Sequence, residues 1–155
     1  MALGTMSSRW DQRFLRLAAH VASWSKDPST QCGAVITDEK NRIVSIGFNG
    51  FPRGLRDDER LHNREEKYRL VLHAETNALM DARGRAEGCT CYVYPMPPCS
   101  NCATQLIQAG IVRVVSMTPT ERQLARWGDS FSVSRAALEE AGVYLILLDA
   151  HPEPI

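Results

Sequence analysis

The stretch from residue 74 to residue 117 constrains the fold most, because it alternates helical and extended spacing without a long loop. Residues 74–83 read as a helix, "CTCYVY" (89–94) as a strand, 99–109 as a helix stopped by Gly110, and "IVRVVSM" (111–117) as a strand. Strands joined through helices become parallel neighbours in one sheet. Upstream, "CGAVIT" (32–37) and "IVSIGF" (43–48) flank the polar turn "DEKN" and read as an antiparallel hairpin. From Arg9 to Ser25, the residues Trp10, Phe14, Leu17, Val21 and Trp24 recur at helical steps until Asp27-Pro28 ends the run. Downstream, a helix from Ser134 to Ala141 precedes "VYLILL" (143–148), whose unbroken apolar run suits a strand buried on both faces. Residues 49–69 read as a loop with one exposed helical turn. The sum is an α/β chain: a three-layer α/β/α arrangement with a mixed five-stranded sheet. Residues 9–149 form one domain between tails 1–8 and 150–155, and the opening "MALGTM" stands outside the fold argument.

Composition excludes several classes of function. The 18 basic and 18 acidic residues cancel, so no overall positive field draws in a nucleic-acid backbone. No run approaches the roughly 18 apolar residues of a membrane span, and no secretion leader opens the chain, which points to a cytoplasmic protein without a membrane partner. Five cysteines, an odd number, favour thiols and metal ligation over a disulfide framework.

Two motifs carry chemistry. "VLHAETNAL" (71–79) sets His73 two places before Glu75, and "PPCSNCATQL" (97–106) sets Cys99 and Cys102 three apart at the start of a helix. At that spacing the two thiolates share a helix face and can reach one ion. His73 heads the other crossover helix, and crossover ends gather at one edge of such a sheet, where ligands bind. Three protein ligands leave a position for water, the arrangement of a catalytic zinc. Successive helical residues turn by about 100°, so Glu75 points away from His73, better placed beside the water than on the metal. It can take the proton that water loses and return it to a leaving amine. Cys32, Cys89 and Cys91 read as small buried hydrophobes, Trp10 and Trp24 as core or subunit-contact residues, and Trp127 either as a cover for the site or as buried.

"HAE" and "PPCSNC" match the H-x-E and P-C-x-x-C signature of zinc nucleobase deaminases. Together with "SKDPSTQCGAVI", "GFNGFPRG" and "QAGIVRVV", they give a chain that resembles the deoxycytidylate (dCMP) deaminase family, in the cytidine deaminase-like superfamily. The likeness runs from Trp10 to Leu148. It implies one catalytic Zn2+ on His73, Cys99 and Cys102, Glu75 as proton shuttle, and hydrolysis of dCMP to dUMP and ammonia, which feeds thymidylate synthesis. It further implies that Asn49 holds the sugar, that the Ala74 N–H reads the pyrimidine edge, and that the Pro98 carbonyl or its neighbour meets the exocyclic amine. Relatives that recognise the 5′-phosphate carry an arginine eleven places beyond the histidine. Here that place is Gly84, between Arg83 and Arg85, so Ser25, Lys26 and Arg83 stand as alternative candidates. The resemblance also implies a homo-oligomer and leaves open control by dCTP and dTTP, the effector bringing Mg2+ with it.

Three rivals remain at this level. A deaminase of another base (tRNA adenosine, guanine or a free cytidine nucleoside) would share both motifs; a tRNA enzyme would show a basic face. A deaminase-like zinc module would bind metal without turnover. A redox C-x-x-C protein would form a reversible disulfide without metal.

Overall fold

The computed structural model describes residues 8–149, so nearly all of the expected tails lie outside the described residues. Helix α1 spans Arg9–Ala22 and strands β1 and β2 span Gly33–Thr37 and Ile43–Phe48. Helices α2 (Arg64–Leu70) and α3 (Ala74–Ala82) follow, then β3 (Thr90–Tyr94), α4 (Ser100–Gln108), β4 (Arg113–Met117), α5 (Glu121–Glu140) and β5 (Tyr144–Leu148). The five strands form one mixed sheet in the order β2-β1-β3-β4-β5. Strand β1 is antiparallel to both β2 and β3, whereas β3, β4 and β5 run parallel. This is the expected hairpin followed by crossovers.

Register decides where chemistry can occur. Gly33 pairs with Phe48 on one side and with Tyr94 on the other. The segment entering β1 and the segments leaving β2 and β3 therefore emerge at one sheet edge, and α3 and α4 begin there. Cys32, Asn49 and the 95–99 turn become neighbours through strand pairing alone.

The two faces are packed differently. One is covered by α1, whose Phe14, Leu15 and Ala18 lie on Val35, Tyr92, Val115 and Ile146. Ser8 and Asp11 form a capping box at its start. The Asp11 carboxylate also accepts the Tyr92 hydroxyl at 2.9 Å and pairs with the Arg113 guanidinium. Burial opposes ionisation of Asp11, but the Arg113 fork, the Ser8 N–H and the Tyr92 hydroxyl outweigh it and hold this carboxyl below its ordinary value. The other face carries α3, α4 and α5. Ala74, Ala78 and Ala82, one turn apart, present small side chains to Ala34 and Ile36. The helix sits so low that a Cβ at Gly47 would collide with the α3 backbone at Ala74, Asn77 and Ala78, and one at Gly33 would collide with α1. Ser45 and Asn77 close that contact by donating to Ala78 O and Phe48 O, each at 2.8 Å.

Four sequence expectations need correction, and the choice left open for Trp10 and Trp24 narrows. Helix α1 ends at Ala22 rather than Ser25, because the Trp24 and Ser25 N–H groups bond three residues back in tighter turns. Residues 49–69 hold a 3₁₀ turn (Glu59–His62) and most of α2, capped by Asn63, with a Gly50–Leu72 bridge pinning the ends. The one buried residue of α2 is Lys67, a cation, so apolar periodicity gave no signal. Helix α5 begins at Glu121, not Ser134; only Ser134 and Leu138 are buried, and they lie in its last two turns. Strand β5 is an edge strand with only Ile146 buried, since nothing pairs beyond it. Trp10 and Trp24, 44% and 48% exposed, do not lie in the core.

Candidate metal centre and active site

His73 and Cys99 occupy equivalent places: each is the N-cap of a crossover helix, in extended backbone conformation, at the shared sheet edge. Their side chains thus face the positive ends of α3 and α4, where anionic sulfur is favoured. His73 Nδ1 lies 3.3 Å from Cys102 Sγ and 3.5 Å from Cys99 Sγ. All three donor atoms fall within 4.8 Å of one another. Around a tetrahedral zinc with Zn–S near 2.3 Å and Zn–N near 2.0 Å, ligand atoms are separated by roughly 3.5 Å. The donor set and its spacing fit that ion.

Electrostatics support the same use. The Cys102 thiol hydrogen-bonds Cys99, which holds Cys99 down at about 4, as thiolate, and pushes Cys102 up. The hydrogen bond to Cys99 raises His73 above its ordinary value. Glu75 is buried beside this cluster rather than within it, and burial raises its carboxyl. A carboxyl raised in this way exchanges protons more readily at neutral pH than an exposed one.

These groups open into a cavity of about 260 Å³, of the size that takes a small molecule. Ala74 and Asn49 line it as well. The Ala74 N–H sits in the first turn of α3, where the helix offers no internal acceptor. Asn49 is buried and ties the loop before β1: its Oδ1 accepts the Cys32 N–H at 2.8 Å and its Nδ2 donates to Thr30 O at 2.9 Å. Pro98 is fully buried next to Cys99. Cys32, read as buried, is half-buried and lines the cavity, while Cys89 and Cys91 are buried.

The three anchor candidates from the sequence are not brought to the cavity. Ser25 Oγ is committed to Asn49 O at 2.8 Å. Lys26 is 72% exposed and pairs with Asp57 at 3.0 Å. Arg83 caps the opposite end of α3 from His73. The cavity is lined instead by Asp27, Lys67, Tyr68 and Arg126, none of which the sequence reading singled out, together with Trp127 and Phe131. Trp127 therefore falls on the covering side of the choice left open. Two capping signals could have exposed these elements: "NREE" before α2, and the T-x-x-Q box of Thr120 and Gln123 before α5.

Comparison with known proteins agrees with this architecture. The family model described as the cytidine and deoxycytidylate deaminase zinc-binding region matches residues 8–118. An uncharacterized deaminase in the luxG 3′ region of Aliivibrio fischeri is 50% identical over 138 residues, covering 89% of this chain and 92% of that protein. Human deoxycytidylate deaminase is 38% identical over 141 residues, covering 86% of this chain and 76% of its own length. Among solved structures, the dCMP deaminase of cyanophage S-TIM5 in complex with dCMP and dUMP superposes with a TM-score of 0.73 at 23% identity, covering 92% of this chain and 99% of that one, a likeness of fold. The sheet, the paired helix N-termini and the His/Cys cluster define a zinc-dependent deaminase fold. The chain belongs to the cytidine and deoxycytidylate deaminase family.

Proposed function

We propose that this chain hydrolyses dCMP to dUMP and ammonia, with His73, Cys99 and Cys102 holding one Zn2+ and Glu75 moving the protons. The observation that carries the reading is one imidazole nitrogen and two sulfurs converging beside a buried carboxyl, with His73, Glu75 and Cys99 on the wall of one small cavity. Zinc at such a site supplies a nucleophile from water at neutral pH. Glu75 accepts a proton from the attacking water and passes it to ring N3 as oxygen bonds to C4. The second water proton then travels through the same carboxyl to the exocyclic amine; the C4–N bond breaks, ammonia leaves and C4 becomes a carbonyl. The Ala74 N–H and the carbonyl of Pro98 or of its neighbour hold the ring edge, and Asn49, fixed by Cys32 and Thr30, supports the sugar.

The likeness to deoxycytidylate deaminases extends the proposal to a cytoplasmic homo-oligomer of one deaminase domain per chain, with dCTP and dTTP as effectors and Mg2+ accompanying them. The exposed Trp24, edge-on to Phe48 at 6.1 Å, offers an aromatic surface suited to a subunit contact. Assaying ammonia release from dCMP, deoxycytidine, CMP, guanine and tRNA, with and without dCTP and dTTP, tests the substrate and the control together. The expected result is preferential turnover of dCMP; turnover of tRNA or guanine alone would overturn it.

A further inference from the structure

The walls of the cavity differ in chemistry. A second groove shares Ser29, Thr30, Arg126 and Trp127 with the cavity but none of His73, Glu75 or Cys99, and runs on to Arg122 and Thr120 on the solvent side. Arg126 therefore stands where the cavity opens, away from the donor cluster. Its guanidinium stacks on Trp127, 4.5 Å from the ring centroid.

The hydrogen-bond inventory at this opening is incomplete in an informative way. Tyr68 Oη accepts from Arg126 Nη2 at 2.8 Å and from Arg64 Nε at 3.3 Å. A phenolic oxygen has two lone pairs and one O–H donor, so both acceptor positions are filled and the proton must point to a third group. Among the described residues it has no acceptor, and Arg64, Arg122 and Arg126 have no carboxylate partner. By contrast, the other cation on the cavity wall, Lys67, is buried and neutralised by Asp27 at 3.1 Å. Two guanidinium groups and an outward O–H converging without an acid make a site for an oxyanion.

We infer that Arg126, braced by Trp127 and Tyr68, anchors the 5′-phosphate of the nucleotide substrate, with Arg64 adding charge behind Tyr68. The inference rests on the deamination reading and assigns the anchor to α5 and α2, not to Arg83 at the end of α3.

The test compares dCMP with deoxycytidine, which differ only in the phosphate. Replacing Arg126→Met removes a charge-assisted bond and lowers the kcat/KM ratio of dCMP over deoxycytidine by about 10- to 100-fold, chiefly through KM; Tyr68→Phe lowers it by a smaller factor, about 3- to 10-fold. Calorimetric binding of dUMP against deoxyuridine reads the same loss without turnover, and Arg126→Lys restores part of it. An unchanged ratio in Arg126→Met, an equal loss on both substrates, or loss of the preference in Arg83→Met instead would overturn the anchor. Wild-type protein that deaminates neither compound removes the deamination reading and this inference with it. Wild-type activity with an unaltered ratio removes the anchor alone.

Discussion

The donor cluster and the cavity mouth meet within one pocket yet are built by opposite means. His73 and Cys99 cap helices packed tightly against the sheet, where Gly47 and the Ala74, Ala78 and Ala82 series leave no room for movement. Arg126 and Tyr68 project from α5 and α2, which bury two of twenty and one of seven residues respectively. Reactive groups sit on rigid elements, where small misplacements are costly, and recognition of a charged, solvated group is left to exposed side chains. The contrast teaches that in this fold the reaction is fixed by the sheet edge, while the choice of substrate is added by peripheral helices.

The largest effect that separates the two regions is chemical. Glu75→Gln keeps the shape of the cluster wall but removes the proton carrier; kcat falls by about 10²- to 10⁴-fold while metal content, measured by atomic emission on purified protein, stays at the wild-type level. Loss of metal together with activity would give Glu75 a ligand role instead. Lys67→Met breaks the tie between the regions, since Lys67 of α2 bonds Asp27 in the loop that Asn49 secures. It leaves a buried carboxylate unpaired, and urea unfolding should report a loss of about 3 kcal/mol. A loss below 0.5 kcal/mol, roughly the scatter of surface changes, would mean that α2 is not coupled to that loop. Gly47→Ala attacks the rigid region alone: the added methyl meets α3 backbone, and the same measurement should show about 1–3 kcal/mol. The smallest effect belongs to the mouth. Raising ionic strength screens the exposed Arg126, so KM for dCMP rises about threefold between low and physiological salt, with kcat steady. A salt effect on kcat alone would place the sensitive charge at the cluster.

What could be read in advance follows the same division. The hairpin, the crossovers, the three residues of the cluster and Glu75 beside them were legible because apolar period and motif spacing report directly on buried, regular elements. Helix α2 and the first half of α5 were not, since the one buried residue of α2 is the cation Lys67, and the first half of α5 buries no residue, its Trp127 and Phe131 lying half-buried on the cavity wall. Ser130 Oγ accepts the Ser100 N–H at 2.9 Å, so a hydroxyl, not an aliphatic group, seats α5 against the start of α4. The positions of Ser25, Lys26 and Arg83 depended on loop geometry and helix length, which motif distance along the chain does not encode.

Asp11 links acid sensitivity to the less crowded side of the molecule. One carboxylate completes the start of α1 through Ser8 and clasps Arg113 and Tyr92 on the strands below. Its lowered value means that the stabilisation is fully present above about pH 4, the ordinary aspartate value, and drains away as acidity carries the solution through the lower folded value. Protonation releases the helix end and the clasp together, so acid below about pH 4 should unzip α1 before the alanine-lined layer opposite, and the fluorescence of Trp10, stacked 5.6 Å from Phe14, would change first. An acid transition in which Trp10 and the α3 side melt in step would show that this clasp holds no more than its share.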